Sequence, residues 1–325
     1  MLSRGVGQWA WAVVPAVLWC AGSACVAQVT IEKHDDRYTV KIDGQLFTEY
    51  IFKGYDKPIL YPIIGPHGIS MTRDWPMKEG TPGEEKDHPH HKSLWFSHGN
   101  VNGIDFWAEG KDKGKIVDRV AFANASSGMA MFNTFPQWQS ADGKTVLEEE
   151  QFVLISTVGS SRVIDLTVKL FAKGHDLVLG DTKEGTMAIR TRPELEINHG
   201  AKAINSEGVT GKEIWGKRAD WVDYSGIVEG KTVGVAIFDH PSNPRHPTWW
   251  HAREYGLIAA NPFGIHDFEK KPEGAGNMTI PAGQSVTFRY RFVFHEGDVQ
   301  AAKISELYKQ YAASKTTEPP QAGSK

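Results

Sequence analysis

Cysteine is almost absent from this chain: two in 325 residues, Cys20 and Cys25. Both fall in the amino-terminal segment, so residues 28–325 carry no disulfide and no thiol nucleophile. There is no Gly-X-Ser-X-Gly elbow, no P-loop, no dinucleotide glycine fingerprint after a strand and no His-Glu-X-X-His. Those absences set aside elbow-type serine hydrolases, NTPases, dehydrogenases and zincins. Strong charge is lacking too. The formal net charge is −3, or −4 without Arg4, which argues against nucleic acid or an anionic membrane as partner. No fixed repeat period is present, against a propeller, and no strand–helix alternation, against a parallel α/β sheet.

The amino terminus is the one long apolar stretch. Arg4 supplies a positive start, Trp9 to Trp19 is apolar, and Ala21 to Ala27 is a run of small residues. That pattern predicts a secretory signal peptide over 1–27, cleaved after Ala27, and hence a periplasmic or extracellular protein. A lipoprotein acylated at Cys25 is the minor alternative, because Gly22 stands where Leu is usual. Spanning a bilayer takes roughly 20 apolar residues, and no later stretch supplies them, so no transmembrane segment is expected in the mature chain.

From Gln28 onward the hydrophobic period is two. Tyr38 to Ile42 alternates, Asp43-Gly44 turns, and Leu46 to Phe52 returns, which is a hairpin signature. Further strands are expected at 59–64, 93–97, 104–107, 115–122, 129–138, 145–156, 162–171, 176–180, 187–190, 209–215, 232–238, 255–260 and 285–294. A polar loop spans 66–89, long enough to be a lid or binding loop. One helix is expected, with Asp298 as cap and Ala301, Ile304, Leu307, Tyr308 and Tyr311 on one face. The prediction is an all-β fold: one large antiparallel β-sandwich over 28–313, with a C-terminal helix. The Pro-rich tail, 314–325, is expected to be disordered.

Two stretches concentrate chemistry. Asp87–Trp107 holds four histidines, His88, His90, His91 and His98, beside Trp95 and Trp107. Imidazole titrates near neutrality and is the commonest neutral metal ligand. If a strand begins at Pro89, His88 and His90 share a face, His91 takes the other, and His98 lies at the far end. Asp239–Gly264 holds His240, Asn243, Arg245, Trp249, Trp250, His251 and Asn261 in a stretch braced by prolines. Any one of these histidines has an ordinary structural use, as a backbone partner. Their clustering points to two walls of one cleft.

Smaller segments add Arg73 in the long loop, Glu184 at a Lys-Glu turn, and Arg218 with Trp221 in a candidate stacking wall. The alternatives are a solvated turn for Glu184 and a surface ion pair for Arg218.

The segments HHKSLWFSHGNVNGIDFW, GDTKEGTMAIRTRPEL, WGKRADWVDYSG and DHPSNPRHPTWWHAREYGLIAANPFG resemble those of a secreted bacterial family labelled PmoA, over about Ile59 to Phe294. The methane oxygenase subunit of that name spans the membrane several times. This chain has no run to do so, so methane oxidation is not expected. The resemblance implies carbohydrate work, since members occur beside sugar-degrading functions, and it assigns no catalytic residue. The sandwich reading is more distantly similar to the supersandwich of galactose mutarotases and some polysaccharide lyases. That likeness implies a His acid and a carboxylate base at a sugar ring.

The expectation is therefore an exported enzyme acting on a small carbohydrate or oxidised sugar derivative as epimerase, lyase or hydrolase. His90, His91, His98 and His251 would be its acid–base groups. Arg73, Trp95, Arg218, Trp221, His240, Asn243, Arg245, Trp249, Trp250 and Asn261 would bind substrate. A non-catalytic carbohydrate-binding protein is the second reading. A metal enzyme is the third, with ligands from His88 or His90 and others such as His199, His240 or His251. No cofactor or metal is assigned.

Overall fold

The computed structural model describes residues 27–126 and 128–314. Residues 1–26 of the expected signal peptide, both cysteines, and residues 315–325 of the tail lie outside the described residues.

Two antiparallel sheets enclose the core, as the period-two pattern predicts. One has eight strands, in spatial order Val29–Lys33, Arg37–Ile42, Gln45–Ile51, Ile59–Ile63, Leu94–His98, Gly185–Arg190, Leu257–Asn261 and Trp249–Ala252. The other has ten. Its main path runs Lys202–Asn205, Trp221–Val228, Lys231–Asp239, Ser285–Glu296, Ser161–Phe171, Thr145–Val158, Met129–Thr134 and Val120–Ser126. Alternate residues of both sheets, among them Phe47, Leu94, Phe96, Ile164, Val168, Ile189, Ile237 and Phe292, meet in one apolar core. Each such side chain stabilises the fold by about 1.5–3 kcal/mol through burial.

The helix Ile304–Ala313 lies outside the ten-stranded sheet. Ile304, Tyr308 and Tyr311 cover Val163, Trp221, Phe238 and Val293. Asp298 caps the turn before it, accepting from the Gln300 and Ala301 N–H groups at 3.1 and 3.0 Å, rather than the helix itself.

Four strand expectations change. Residues 115–122 divide at Asp118-Arg119 into Lys115–Val117 and Val120–Ser126. Pro136, which has no N–H to give a ladder, divides 129–138 into Met129–Thr134 and Gln137–Gln139. Residues 209–215 hold a 3-10 turn, Gly211–Ile214, in place of a strand. Residues 104–107 form no strand, because Asp105 folds back to accept from the Trp107 and Ala108 N–H groups at 2.9 and 3.0 Å, an Asx-turn geometry.

Candidate functional site

The outer face of the eight-stranded sheet is apolar at its base. Trp95, Ala188, Leu257 and Ala259 point outward from their strands and join Trp107, Ile51 and Ile59 in a second cluster. Above it opens a cleft of about 460 Å³ lined by His88, His90, His91, Glu184, His251, Arg253 and Tyr255, among others. Small-molecule pockets have volumes of about 300–1,000 Å³.

One wall is a turn. The His91 N–H donates to His88 O at 2.9 Å, and the strand begins only at Leu94. Alternation therefore does not apply to residues 88–91, and His88, His90 and His91 meet instead of splitting between faces. The His88 ring stacks on Tyr255 at 5.2 Å and on His91 at 4.7 Å, and His91 stacks on Trp95 at 5.4 Å. His90 stands edge-on to His91 at 4.5 Å.

Buried guanidiniums hold the turn. Arg73 donates to the carbonyls of Trp75, Glu85, Asp87 and His88 at 3.1–3.2 Å and to the Asp87 carboxylate. Arg190 donates to the same carboxylate at 3.1 Å and approaches His91 Nδ1 at 3.4 Å. A guanidinium has only donors, so His91 Nδ1 accepts and its proton sits on Nε2. Burial would raise the Asp87 carboxyl, but the His88 hydrogen bond and both guanidiniums outweigh it and hold it low.

A second charged group lies beside His90. Lys57, 2 % exposed, donates to Trp107 O and to Glu109 Oε1, both at 3.0 Å. Lys92 donates to Pro89 O at 2.9 Å and to the other Glu109 oxygen. Burial, then the Lys57 charge, lowers His90 to about 4. Burial and the neighbouring His90 and Arg190 hold His91 well below its ordinary range.

The other wall is built by two turns. Asn261 uses its whole amide as a clip. It donates to Thr182 O and Lys183 O at 3.0 and 2.9 Å, and accepts from the Phe263 and Gly264 N–H groups at 2.8 and 3.2 Å. His251 donates Nδ1–H to Lys183 O at 2.8 Å, which leaves Nε2 as a lone pair. Burial, then the Arg253 charge, lowers His251 to about 3. So fastened, the 182–184 turn presents Glu184, whose carboxyl burial raises. The hairpin turn 253–256 presents Arg253 and Tyr255. It closes through Gly256, whose φ of +80° is left-handed and whose added Cβ would lie 2.3 Å from Thr191 Oγ1.

Several predicted residues lie elsewhere. His98 is 1 % exposed on the inner face, donating Nε2–H to Gly180 O at 2.8 Å against Phe263. Burial lowers it to about 4, and it is a core histidine. Arg73 and Trp95 underlie the cleft without lining it. His240 packs on Tyr311 at the other sheet. Asn243 ties that loop to Arg289, donating to its carbonyl and accepting from its N–H, both at 2.7 Å. Arg218 donates to the Pro247, Arg245 and His246 carbonyls at 2.8–3.4 Å, and Arg245 to those of Pro262, Gly276 and Asn277 at 2.6–2.9 Å.

Trp221 lies under the helix. Trp249 donates to Glu269 at 2.9 Å beneath Arg218, and Trp250 sits in the main core, donating to Ala219 O at 2.9 Å. Backbone carbonyls are as good partners for Arg and Trp as any ligand, which is why these side chains face inward. Asp105 and Tyr255 of the cleft carried no distinguishing signal in the sequence. Glu184 did, as a turn carboxylate.

Among the described residues, no three His, Cys, Asp or Glu side chains are grouped to hold a metal ion. Among the same residues, no helix is long and apolar enough to cross a membrane.

A family model described as a family of unknown function (DUF6807) matches residues 37–309. No curated protein matches the chain. Among solved structures, the chain is similar to a galactose mutarotase related enzyme from Lactobacillus acidophilus. Identity is 9 % and TM-score 0.35, over 82 % of this chain and 97 % of that one. An α-galactosidase from Lactobacillus brevis matches at 9 % identity and TM-score 0.38, over 87 % of this chain and 42 % of that one. A polysaccharide lyase matches at 12 % identity and TM-score 0.36, over 88 % and 35 % respectively. The chain thus spans less than half the length of the last two. These neighbours are carbohydrate-active enzymes.

Proposed function

We propose that this chain, which belongs to the family of unknown function DUF6807, is an exported enzyme that moves a proton on a sugar or oxidised sugar derivative. The reading rests on one observation: Glu184, its carboxyl raised by burial, shares a cleft with two neutral imidazoles, His90 and His251. Magnitudes assign the roles. With His90 near 4 and His251 near 3, on the order of one molecule in a thousand or fewer carries either proton at pH 7. Those rings are therefore hydrogen-bonding groups for hydroxyls. Glu184, its carboxyl raised by burial and held at the cleft by the clipped 182–184 turn, is the acid–base residue. Trp107 and Tyr255 supply apolar surface for a sugar ring. The reaction classes open to this set are epimerisation, β-elimination and hydrolysis.

The test is Glu184→Gln, assayed with wild type against neutral hexoses, uronates and oxidised disaccharides. A substrate turned over by wild type should lose about 10²–10⁴-fold in rate in the variant while binding persists. Turnover at the wild-type rate in the variant removes the assignment. Saturable binding with no turnover by wild type would make the protein a carbohydrate-binding one.

A further inference from the structure

The cleft holds cations that the fold itself does not use. Arg73, Arg190, Arg218 and Arg245 each donate hydrogen bonds to fixed protein acceptors. Arg253 lines the cleft, and its side chain donates none to the described residues. Its nearest anion is Glu254, with Nε and Oε2 separated by 3.8 Å, beyond hydrogen-bonding range. Its guanidinium lies over the Tyr255 ring at 5.5 Å. On the facing turn, Lys183 Nζ lies 3.8 Å from Glu184 and 3.9 Å from Asp267, again too far to bond.

The floor reinforces this. Asp87 faces two guanidiniums, Arg73 and Arg190, and Glu109 faces two ammoniums, Lys57 and Lys92. Within these contacts each group has one positive charge in excess. Glu196 lies 3.8 Å from Arg190, and burial raises its carboxyl to about 7, so at neutral pH it offsets only about half of one such charge. Of the two carboxylates on the walls, Asp105 is already bonded to Lys113 at 2.8 Å and to two backbone N–H groups. The remaining one is Glu184. The lining therefore presents positive charge, with His251 Nε2 as a neutral acceptor beside it.

We propose that Arg253, with Lys183 opposite, is a carboxylate-binding subsite, and that the natural ligand of the cleft is a sugar acid. This rests on the cleft being the sugar site. A guanidinium fork matches a carboxylate in two parallel hydrogen bonds. The stack on Tyr255 holds that fork in place before the ligand arrives, so little side-chain freedom is lost on binding. Lys183 supplies a point charge on a mobile stem, and sets no orientation.

Calorimetric titration of the full chain with D-glucuronate, D-gluconate and D-glucose, at low and raised salt, tests this. Both acids should bind about tenfold or more tighter than glucose, and raised salt should narrow the gap. Arg253→Ala should weaken acid binding about 10–100-fold and leave glucose within about twofold, while Arg253→Lys should restore part of the loss. Equal binding of acid and neutral sugar, or acid binding unchanged in Arg253→Ala, overturns the subsite. If glucose binds as well as the acids, the subsite falls and the sugar cleft stands. If no sugar binds, both fall.

Discussion

The two histidine-rich stretches, residues 87–107 and 239–264, resemble each other in composition and differ in how their polar groups are used. In the first, the charges lie beneath. Arg73 and Lys57 are buried and hold the chain, while His88, His90 and His91 face a cleft. In the second, Arg245 and Asn243 reach back to carbonyls, and Arg218 donates into the loop from outside the stretch. Only its last part, from His251 to Tyr255, turns toward the cleft. Residue type marks both stretches as unusual. Whether donors are already satisfied decides which one can meet a ligand, because a donor bonded to a buried carbonyl has nothing left to offer.

The largest effect expected is at the anchor of the first stretch. Arg73→Ala leaves several buried carbonyls and the Asp87 carboxylate short of a partner. It should cost about 3–5 kcal/mol of stability, measured by urea unfolding. A smaller loss would show that Arg190 alone holds the turn. Next comes the loop. Arg245→Ala removes three backbone contacts and should cost about 1–3 kcal/mol with ligand binding in the cleft unchanged. Weakened binding would break the division between the two stretches.

A matched pair sharpens it. His251→Ala should lower kcat/KM about 10- to 100-fold, a transition-state loss of about 1.4–2.7 kcal/mol, whereas His240→Ala should leave it unchanged. Equal effects would mean that the two histidines are not distinguished by which cavity they face.

A pH dependence tests the first stretch from another side. His90 is lowered in the folded chain from 6.5 to about 4, so the unfolded chain binds more protons between those values. Stability from this group is therefore present above about pH 6.5 and is lost as pH falls toward 4. His90→Asn should flatten the fall of the unfolding midpoint across that window. An unchanged slope would place His90 in water.

The sandwich was legible because alternation and turn residues are local signals. Tyr38–Ile42 with Asp43-Gly44 reads as a hairpin at sight. The site was half legible. A histidine cluster is visible as composition, but its geometry was misread, because strand alternation was applied to a turn that ends only at Leu94. Glu184 looked like an exposed turn residue, since the clip that positions it, Asn261, lies 77 residues away in the sequence. Tyr255 is one aromatic among many until the fold brings it against His88. The arginines of the 239–264 stretch look the same on paper whether they bind a ligand or a carbonyl.

The stack of Tyr255, His88, His91 and Trp95 also has an optical consequence. An indole pressed against an imidazole loses fluorescence when that ring gains a proton, because the cation accepts an electron from the excited state. Trp95 lies 5.4 Å from His91 in near-parallel contact, so its emission reports the charge on one ring at the base of the cleft. Subtracting the spectrum of Trp95→Phe from that of the native chain isolates the signal. The fold thus carries its own gauge of whether an occupant of the cleft has shared a proton with the floor beneath it.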